Sequence, residues 1–486
     1  MPDWQGLYTM FLNEPIVIPF WAFILLGVFS AWAAFDRLLI PSVRWYIRRK
    51  VNRAISEFNI RLRITVRPFH LTKRQVLIDR LVYDSEVLLA MQQYADEKGM
   101  PRDVAQAQVV EYAREIVPAF NAYVYFRVGY WISRKFSKLL YRVRVRVFDQ
   151  KAIEAIDPEA TVVFVMNHRS NMDYMLVSYL VARESTLSYA VGEWAQVWPL
   201  NVLIRAMGAF FVRRNSGNTL YRRILQRYVH MATKEGVCQA VFLEGGLSHD
   251  GKMREPRMGF LNYMLRHYQP DTDRDIVFVP IAINYDRIVE DRNLIRRRNK
   301  DEPRPSKWSM IRDGFRFYRK HLAWGTKRRH SRFGYAGVNF GRPISIRDYC
   351  ASHDTRFDGV SDDERFEATK DLADFLMGEV GFVMPILPVP VLSKVFLDNL
   401  DSEFTAFELK SQTMEIVEQL QALGAPIRDH EKPKEATIER GLQMMAHHGM
   451  ILESNGHFSA NPDSVVLLNF YAASLEHWFD DVGVLT

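Results

Sequence analysis

The sequence predicts an α/β protein in which helical regions flank a central domain built around a β-sheet. Helical periodicity dominates residues 41–150 and again the region after residue 351. Between them, short β-branched and apolar runs alternate with helical stretches, at 161–166, 209–212, 239–243, 275–283 and 335–340. Strands that alternate with helices are typical of an α/β domain.

Length and composition are those of a globular protein with a sizeable core. The chain has 486 residues, of which 48% are hydrophobic, and this length allows two or three domains. Its net charge of +7 would suit nucleic acid, an anionic membrane surface or a phosphorylated substrate equally well. The two cysteines, Cys238 and Cys350, exclude a disulfide framework and a cysteine-rich metal site, and they indicate a reducing compartment.

An uncharged segment near the start of the chain predicts a membrane anchor. Residues 16–35 carry no charge over about 20 positions, which is the length a helix needs to cross the hydrocarbon layer. No positive segment precedes it, so we expect a retained anchor rather than a signal peptide. Basic residues follow it, which predicts that the rest of the chain faces the cytoplasm. The alternative is a buried helix of a soluble protein.

We divide the chain into an anchor at 1–40, a helical, basic, membrane-proximal region at 41–150, an α/β domain at 151–350 and a helical region at 351–486. Aromatic residues interleave with Arg and Lys at 120–147, as in a helix at a membrane interface or an ordinary amphipathic helix that packs on the next domain. The cytoplasmic membrane is therefore the expected location.

The segment NHRSNMD places a histidine directly after a predicted strand and an aspartate at the opening of a helix. His168 could take a proton from a hydroxyl near neutral pH, and Asp173 could fix its tautomer. The spacing alone is weak support, because His353 and Asp358 repeat it in a polar stretch. Ser170 followed three residues later by an acid also resembles a capping box, so Asp173 could serve only as a cap.

Four ordered segments make the chain recognisable: NHRSNMD at 167–173, GAFFVRRN at 208–215, VFLEGGLSHDGK at 241–252 and VFVPIAINYDR at 277–287. They resemble the four sequence blocks of the glycerolipid acyltransferases, and the first two are most similar to bacterial glycerol-3-phosphate and dihydroxyacetone-phosphate acyltransferases. Weaker similarity extends to about residue 480. The resemblance implies an αβ acyltransferase domain with a mixed sheet.

The implied reaction transfers a fatty acyl group from acyl-CoA or acyl-ACP to the sn-1 hydroxyl of glycerol-3-phosphate, giving lysophosphatidic acid. In it, His168 is the general base and Asp173 its partner, acting without a covalent acyl-enzyme. Arg214 holds the acceptor phosphate with help from Arg213, and Pro280 shapes the wall of the acyl channel. The third block contributes further substrate-binding residues, Glu244, Gly245, Gly246 and Ser248. The resemblance implies no metal and no cofactor beyond the acyl donor, and membrane phospholipid as the surroundings.

The third block departs from the family pattern. Leu247 and His249 stand where the family usually has arginines, so two expected phosphate ligands are missing. We hypothesise that Lys252 or Arg254 replaces them. The departure also leaves dihydroxyacetone phosphate or a lysophospholipid open as the acceptor, and the sequence leaves both thioester donors open.

The sequence leaves three other classes of function open. A nucleic-acid-binding protein would explain the basic composition but not the anchor, and no nucleic-acid-binding signature stands out. A lipid serine hydrolase could use Ser248, yet this serine lacks the glycine-flanked elbow GxSxG. A non-catalytic membrane scaffold would need neither His168 nor Asp173.

Overall fold

The computed structural model describes the isolated positions Pro19 and Gly27 and residues 72–121, 124–181, 187–192, 200–213, 216–296, 333–427 and 435–480. Apart from Pro19 and Gly27, the predicted anchor segment lies outside the described residues, and so does Arg214. Among the helices that are described, none has the length and apolar character needed to cross a membrane. All the helices and strands named below belong to one compact unit, Arg61–Thr486.

Among the residues described, four α-helices precede the first strand: α1 (Arg74–Val82), α2 (Ser85–Lys98), α3 (Arg102–Ile116) and α4 (Tyr130–Leu140). Helix α2 begins where the Asp84 carboxylate accepts backbone N–H groups of the first turn, and it is followed by Gly99 in the left-handed conformation. The buried faces of α1 to α3 pack into the same core as the sheet.

Eight strands form one mixed sheet: β1 (Arg142–Val147), β2 (Thr161–Met166), β3 (Ser188–Gly192), β4 (Ala209–Val212), β5 (Gln239–Phe242), β6 (Ile276–Tyr285), β7 (Tyr335–Phe340) and β8 (Ile344–Ser345). Their order is β1-β7-β6-β2-β5-β3-β4, and β8 pairs with β6. Strand β2 is parallel to β5 and β6, whereas β7 is antiparallel to β6. The predicted α/β fold with a mixed sheet is confirmed.

Strand β1 corrects the sequence-based boundary, because it lies inside the region predicted to be helical and basic. Its residues read RVRVRV, an alternation with the period of two that a strand requires. Pairing with β7 stabilises this segment as the edge of the sheet. The α/β fold therefore begins at Arg142 rather than at residue 151.

In the described part of the chain, six α-helices lie between the strands: α5 (Gln150–Glu154), α6 (Met172–Val181), α7 (Leu200–Ala206), α8 (Thr219–Lys234), α9 (Gly259–Leu265) and α10 (Asp291–Arg296). Strand β2 is buried at all six positions because it has a strand on each side and helices over its faces. Five residues, 167–171, lie between the end of β2 and the start of α6, so a short and largely buried turn separates them.

The described region after β8 is helical apart from a small antiparallel sheet. Its strands are β9 (Phe404–Thr405), β10 (Ile451–Ser454) and β11 (His457–Ala460). Its helices are α11 (Ile346–His353), α12 (Asp362–Phe382), α13 (Pro388–Asp398), α14 (Ala406–Ala422), α15 (Glu435–His447), α16 (Val465–Ala472) and α17 (His477–Asp480).

Helix α16 packs directly on the turn that follows β5. Gly251 in this turn has a φ of 88°, and a Cβ atom at this position would lie 1.8 Å from the Phe470 carbonyl oxygen of α16. Only glycine fits so close an approach. The C-terminal helices thus cover the third sequence block.

Gly251→Ala is expected to lower the thermal midpoint of unfolding far more than Gly424→Ala. Both glycines have a positive φ, but nothing lies within 4 Å of a Cβ atom built at Gly424. The control therefore measures backbone strain alone, about 1 kcal/mol, and the clash with Phe470 adds about 2 kcal/mol. Equal losses measured by circular dichroism would contradict the close packing of α16.

Candidate active site

His168 and Asp173 meet in the buried turn between β2 and α6. Nδ1 of His168 lies 3.0 Å from Oδ2 of Asp173, and the two side chains are only 3% and 0% exposed. A carboxylate at Nδ1 favours the tautomer that carries its proton there, which leaves Nε2 as the proton acceptor. Among the described residues, Nε2 has no recorded hydrogen-bond partner, so the pair has the form of a general base and its orienting acid.

The Asp173 carboxylate also accepts hydrogen bonds from three other groups. Its Oδ2 receives the backbone N–H groups of Arg169 at 2.8 Å and Ser170 at 3.0 Å. Its Oδ1 receives the hydroxyl of Tyr285 at 2.6 Å. Burial raises the pKa of Tyr285 well above its ordinary value, so the hydroxyl keeps its proton and donates. Capping of α6 and orientation of His168 are therefore roles of the same carboxylate.

The second pair with the same spacing does not form. Nδ1 of His353 lies 3.1 Å from the carbonyl oxygen of Tyr349 in its own helix, and Asp358 accepts a hydrogen bond from Gln269. The strand-to-helix turn, rather than the five-residue spacing, brings His168 and Asp173 together.

Asn167 fixes the end of β2 next to β6. Its side-chain oxygen accepts the backbone N–H of Ile283 at 2.8 Å, and its amide nitrogen donates to the Ile283 carbonyl at 2.9 Å. The side chain thus continues the ladder of hydrogen bonds by one position beyond the strand. This bond pair holds His168, the next residue, at the edge of the sheet.

Aromatic rings surround the imidazole of His168. Phe242, the last residue of β5, stacks on it with ring centroids 4.0 Å apart. Tyr174, which follows Asp173 in α6, meets it edge-on at 5.5 Å. These contacts fix the ring plane, so the direction of Nε2 is set by packing as well as by hydrogen bonding.

A second buried acid lies beside the pair. Glu244 is 2% exposed, and a backbone hydrogen bond joins its carboxylate to His168. Burial raises the pKa of Glu244 to about 8, although the charge of nearby Arg169 acts in the opposite direction. Its Oε2 has no hydrogen-bond partner among the described residues. Near neutral pH, Glu244 is therefore a neutral acid that can donate a hydrogen bond to a ligand.

Arg169 connects this acid to the C-terminal region. Its guanidinium is buried, donates to the Gly251 carbonyl at 2.7 Å and lies 5.9 Å from the ring of Phe470. Burial lowers the pKa of Arg169, while Glu244 acts to raise it. The first block, the third block and helix α16 are thus held together by one side chain.

The glycines of the third block form the turn after β5. Gly245 has a φ of 66°, and a Cβ atom there would lie 2.8 Å from Cγ of Arg257. Its N–H donates to the Phe242 carbonyl at 3.0 Å, which closes the turn, and Gly246 is buried within it. Glycine is required at Gly245 by both conformation and space.

The hydroxyl of Ser248 is used inside the same turn. It lies 2.8 Å from the Lys252 carbonyl, to which it donates, and it accepts the N–H of Gly251 at 3.0 Å. The backbone N–H of Ser248 donates to the His168 carbonyl. No contact between the Ser248 hydroxyl and the His168 ring is recorded, which is the contact that a serine nucleophile needs.

Of the two arginines in the second block, Arg213 lies in the described residues and Arg214 outside them. Arg213 forms a two-pronged ion pair with Glu115 of α3, at 3.0 and 2.6 Å. That hydrogen bonding raises the pKa of Arg213 above its ordinary value. The described contacts of Arg213 therefore join α3 to the end of β4.

Lys252 and Arg254 differ in what they contact. Lys252 is exposed, and its Nζ lies 2.5 Å from a carboxylate oxygen of Glu476. Arg254 is half-buried, donates to the Leu247 carbonyl at 3.3 Å and is close enough to Glu244 to lower its pKa. Of the two, Arg254 is therefore the one that lies near the His168 pair.

Pro280 lies inside the sheet. It is buried in β6 and pairs with Val165 of β2, and its carbonyl accepts the N–H of Gly341. Within the described part of the chain, no group of three or more His, Cys, Asp or Glu side chains could hold a metal ion.

Four contributors to the site were not predicted from the sequence: Asn167, Arg169, Phe242 and Tyr285. All four lie within the recognised blocks, so the sequence marks the segments to which they belong. Their partners are distant in sequence, and no local pattern marks a residue whose role is to hold another. Glu290, which accepts the N–H of Asn171, was missed for the same reason.

Two regions match known families. Residues 144–284 match the family described as Acyltransferase, and residues 321–482 match the Glycerol-3-phosphate acyltransferase C-terminal region. A glycerol-3-phosphate acyltransferase of Pseudomonas putida KT2440 is 31% identical over 285 residues, 57% of this chain and 32% of the relative. The enzyme of the same name from Pseudomonas aeruginosa PAO1 is 30% identical over 308 residues, 63% of this chain and 35% of the relative.

This chain thus spans about a third of the length of these curated relatives. A solved structure, the 1-acyl-sn-glycerophosphate acyltransferase PlsC of Thermotoga maritima, is 17% identical and covers 52% of this chain and 78% of its own. Its TM-score of 0.29 is too low to support an inference.

Glu244→Gln is expected to flatten the dependence of stability on pH between about 4.5 and 8. The pKa of Glu244 is raised from 4.5 to about 8 in the folded state. The folded protein therefore keeps a proton that the unfolded chain releases in this window, so the free energy of unfolding falls as pH rises. One pKa unit corresponds to about 1.4 kcal/mol.

Thermal midpoints at a series of pH values test this, with Glu367→Gln, an exposed residue of α12, as the matched control. The control is expected to follow the wild-type profile. If Glu244→Gln follows it too, Glu244 is not protonated in the folded state.

Proposed function

We propose that this chain acylates glycerol-3-phosphate, because residues 144–284 match the family described as Acyltransferase and residues 321–482 match the Glycerol-3-phosphate acyltransferase C-terminal region. The proposed reaction moves a fatty acyl group from an acyl thioester to the sn-1 hydroxyl and gives lysophosphatidic acid, the first step of phospholipid synthesis. The buried hydrogen bond between His168 and Asp173 is the observation that carries the proposal.

In the proposed mechanism, Nε2 of His168 accepts the proton of the acceptor's primary hydroxyl as its oxygen attacks the thioester carbonyl. Asp173 stabilises the imidazolium that forms. When the tetrahedral intermediate collapses, the carbon–sulfur bond breaks and the thiolate takes the proton from Nε2. No acyl group becomes attached to the protein, which agrees with a Ser248 hydroxyl held within its own turn.

Glu244 and Arg254 extend this site toward the acceptor. The protonated carboxyl of Glu244 has an unpartnered oxygen beside His168 and would donate a hydrogen bond to an acceptor hydroxyl. Arg254 would pair with the phosphate, taking the place of the arginines absent at Leu247 and His249. Arg214 keeps its proposed role as a phosphate ligand.

We also propose that the chain works at the cytoplasmic membrane with its catalytic domain toward the cytoplasm. The uncharged segment at 16–35 supports this location. Helix α4 supports it as well, since it buries Ser133 and Ser137 and exposes Trp131 and Leu139. Apolar side chains on the outer face, with Lys135 over the Trp131 ring, suit a lipid surface.

His168→Ala is expected to lower kcat by at least about 10²-fold, because it removes the general base. Asp173→Asn is expected to be equally or less severe. Their matched controls are His353→Ala and Asp358→Asn, which change the pair that has the same spacing but makes no mutual contact. The assay uses purified protein in detergent, both thioester donors and a panel of acceptors that includes dihydroxyacetone phosphate and a lysophospholipid.

Full activity in His168→Ala would overturn the mechanism. Preference for dihydroxyacetone phosphate or a lysophospholipid over glycerol-3-phosphate would replace the proposed acceptor while leaving the mechanism in place.

Arg254→Ala is expected to raise the KM for glycerol-3-phosphate by about tenfold or more, the effect of losing one hydrogen bond to a charged group. Lys252→Ala, two residues away, is expected to change this KM little because Lys252 contacts Glu476. Initial rates at varied acceptor and saturating donor give both constants. An unchanged KM in Arg254→Ala would exclude Arg254 as the phosphate ligand.

A further inference from the structure

Three arginine side chains surround the ring of Tyr335 at the edge of the sheet formed by β1. The guanidinium of Arg144 stacks over this ring at 3.7 Å, and that of Arg142 lies 6.0 Å from it. Arg440 of α15 donates a hydrogen bond to the Tyr335 hydroxyl at 3.1 Å. One strand, β1, and one helix, α15, therefore bring three positive charges to a phenol on β7.

No carboxylate forms an ion pair with these guanidiniums among the described residues. The charge of Arg144 acts to lower the pKa of one acid, Asp286. The Asp286 carboxylate is buried, however, and accepts the backbone N–H groups of Tyr335 and Val389. Burial raises the pKa of Asp286 to about 6. Asp286 thus holds β6, β7 and α13 together, and the hydrogen bonds of its carboxylate go to backbone N–H groups rather than to the guanidiniums.

The pKa of the Tyr335 phenol shows the effect of the three positive charges. Burial by itself raises the pKa of Tyr335, but the hydrogen bond from Arg142 and the charges of Arg144 and Arg440 outweigh it and lower that pKa. Like charges held this close repel each other. A guanidinium presents a fork of N–H donors that matches the oxygens of a phosphate, so a polyanionic ligand would relieve the repulsion.

We propose that Arg142, Arg144 and Arg440 bind the phosphate groups of a coenzyme A thioester, the acyl donor of the proposed reaction. This assignment rests on the proposed function and identifies the class of donor. Coenzyme A carries a diphosphate and a third phosphate, which suits three guanidiniums. A carrier protein offers a single phosphodiester at the end of the same pantetheine arm.

The distance of the three arginines from His168 fits the acyl donor as their ligand rather than the acceptor. Strand β1 runs antiparallel to β2, so Arg142 lies at the same edge of the sheet as His168. The strand order places β1 three positions from β2, or about 14 Å at the usual strand spacing. A three-carbon acceptor is too short to reach from the three arginines to His168. An extended pantetheine arm is long enough, since it has roughly the length of four residues, about 14 Å.

The test is a calorimetric titration of the full chain with coenzyme A, a measurement that needs no turnover. The variant Arg144→Gln with Arg440→Gln is expected to bind at least about tenfold more weakly than the wild type. Arg80→Gln with Arg102→Gln, which removes the same charge from exposed positions on α1 and α3, is expected to bind as the wild type does.

Arg142→Gln alone is the second variant, used if the double variant does not fold by circular dichroism. In turnover, the variants are expected to raise the KM for the acyl-CoA donor and leave that for glycerol-3-phosphate unchanged. Wild-type affinity for coenzyme A in both variants would overturn the proposed binding site. The proposal would also fail if the wild-type protein accepted only a carrier-protein donor and did not bind coenzyme A. Weakened binding in the variants beside full activity of His168→Ala would keep the site and reject the proposed function.

Discussion

The buried carboxylate of Asp173 ties the candidate site to the sheet, and the surrounding structure has to satisfy it. An ionisable group without water or partners costs several kcal/mol, so its hydrogen bonds must form for the fold to be stable. They come from the turn after β2 and from Tyr285 at the end of β6. This requires β2 and β6 to pair in one register, which Asn167 enforces by bonding both backbone groups of Ile283. The geometry of His168 is therefore a consequence of strand pairing.

The C-terminal helices belong to the same arrangement. Phe470 of α16 lies against Gly251, whose carbonyl accepts the Arg169 guanidinium, and Arg169 in turn faces Glu244. Tyr471, the next residue, donates to Asp291 beyond the end of β6. Neither matched family region contains a complete site, because the buried charges of the first region are covered by side chains of the second.

The sequence was informative where the signal was local. Runs such as TVVFVM at 161–166 are strands because central positions of a sheet demand β-branched, apolar residues. The pair of His168 and Asp173 could be predicted from its strand-to-helix setting together with the three ordered blocks that follow it. Strand β1 was assigned to the helical region because its arginines suggested a basic surface, although its alternation favoured a strand. The roles of Arg169 and Tyr285 were not predictable, since each depends on a partner that only the folded chain brings near.

The place of β1 in the sheet has a consequence for how the protein is made. Its strand partner among the described residues is β7, about 190 positions later in the chain. Ribosomes add about 5 to 20 residues per second, so β1 leaves the ribosome roughly 10 to 40 s before β7 exists. During that interval the segment RVRVRV presents an unpaired edge, and its alternating arginines are the kind of charge that keeps such an edge from joining other nascent chains. The same arginines would thus limit aggregation during synthesis and bind the phosphates of the acyl donor in the folded protein.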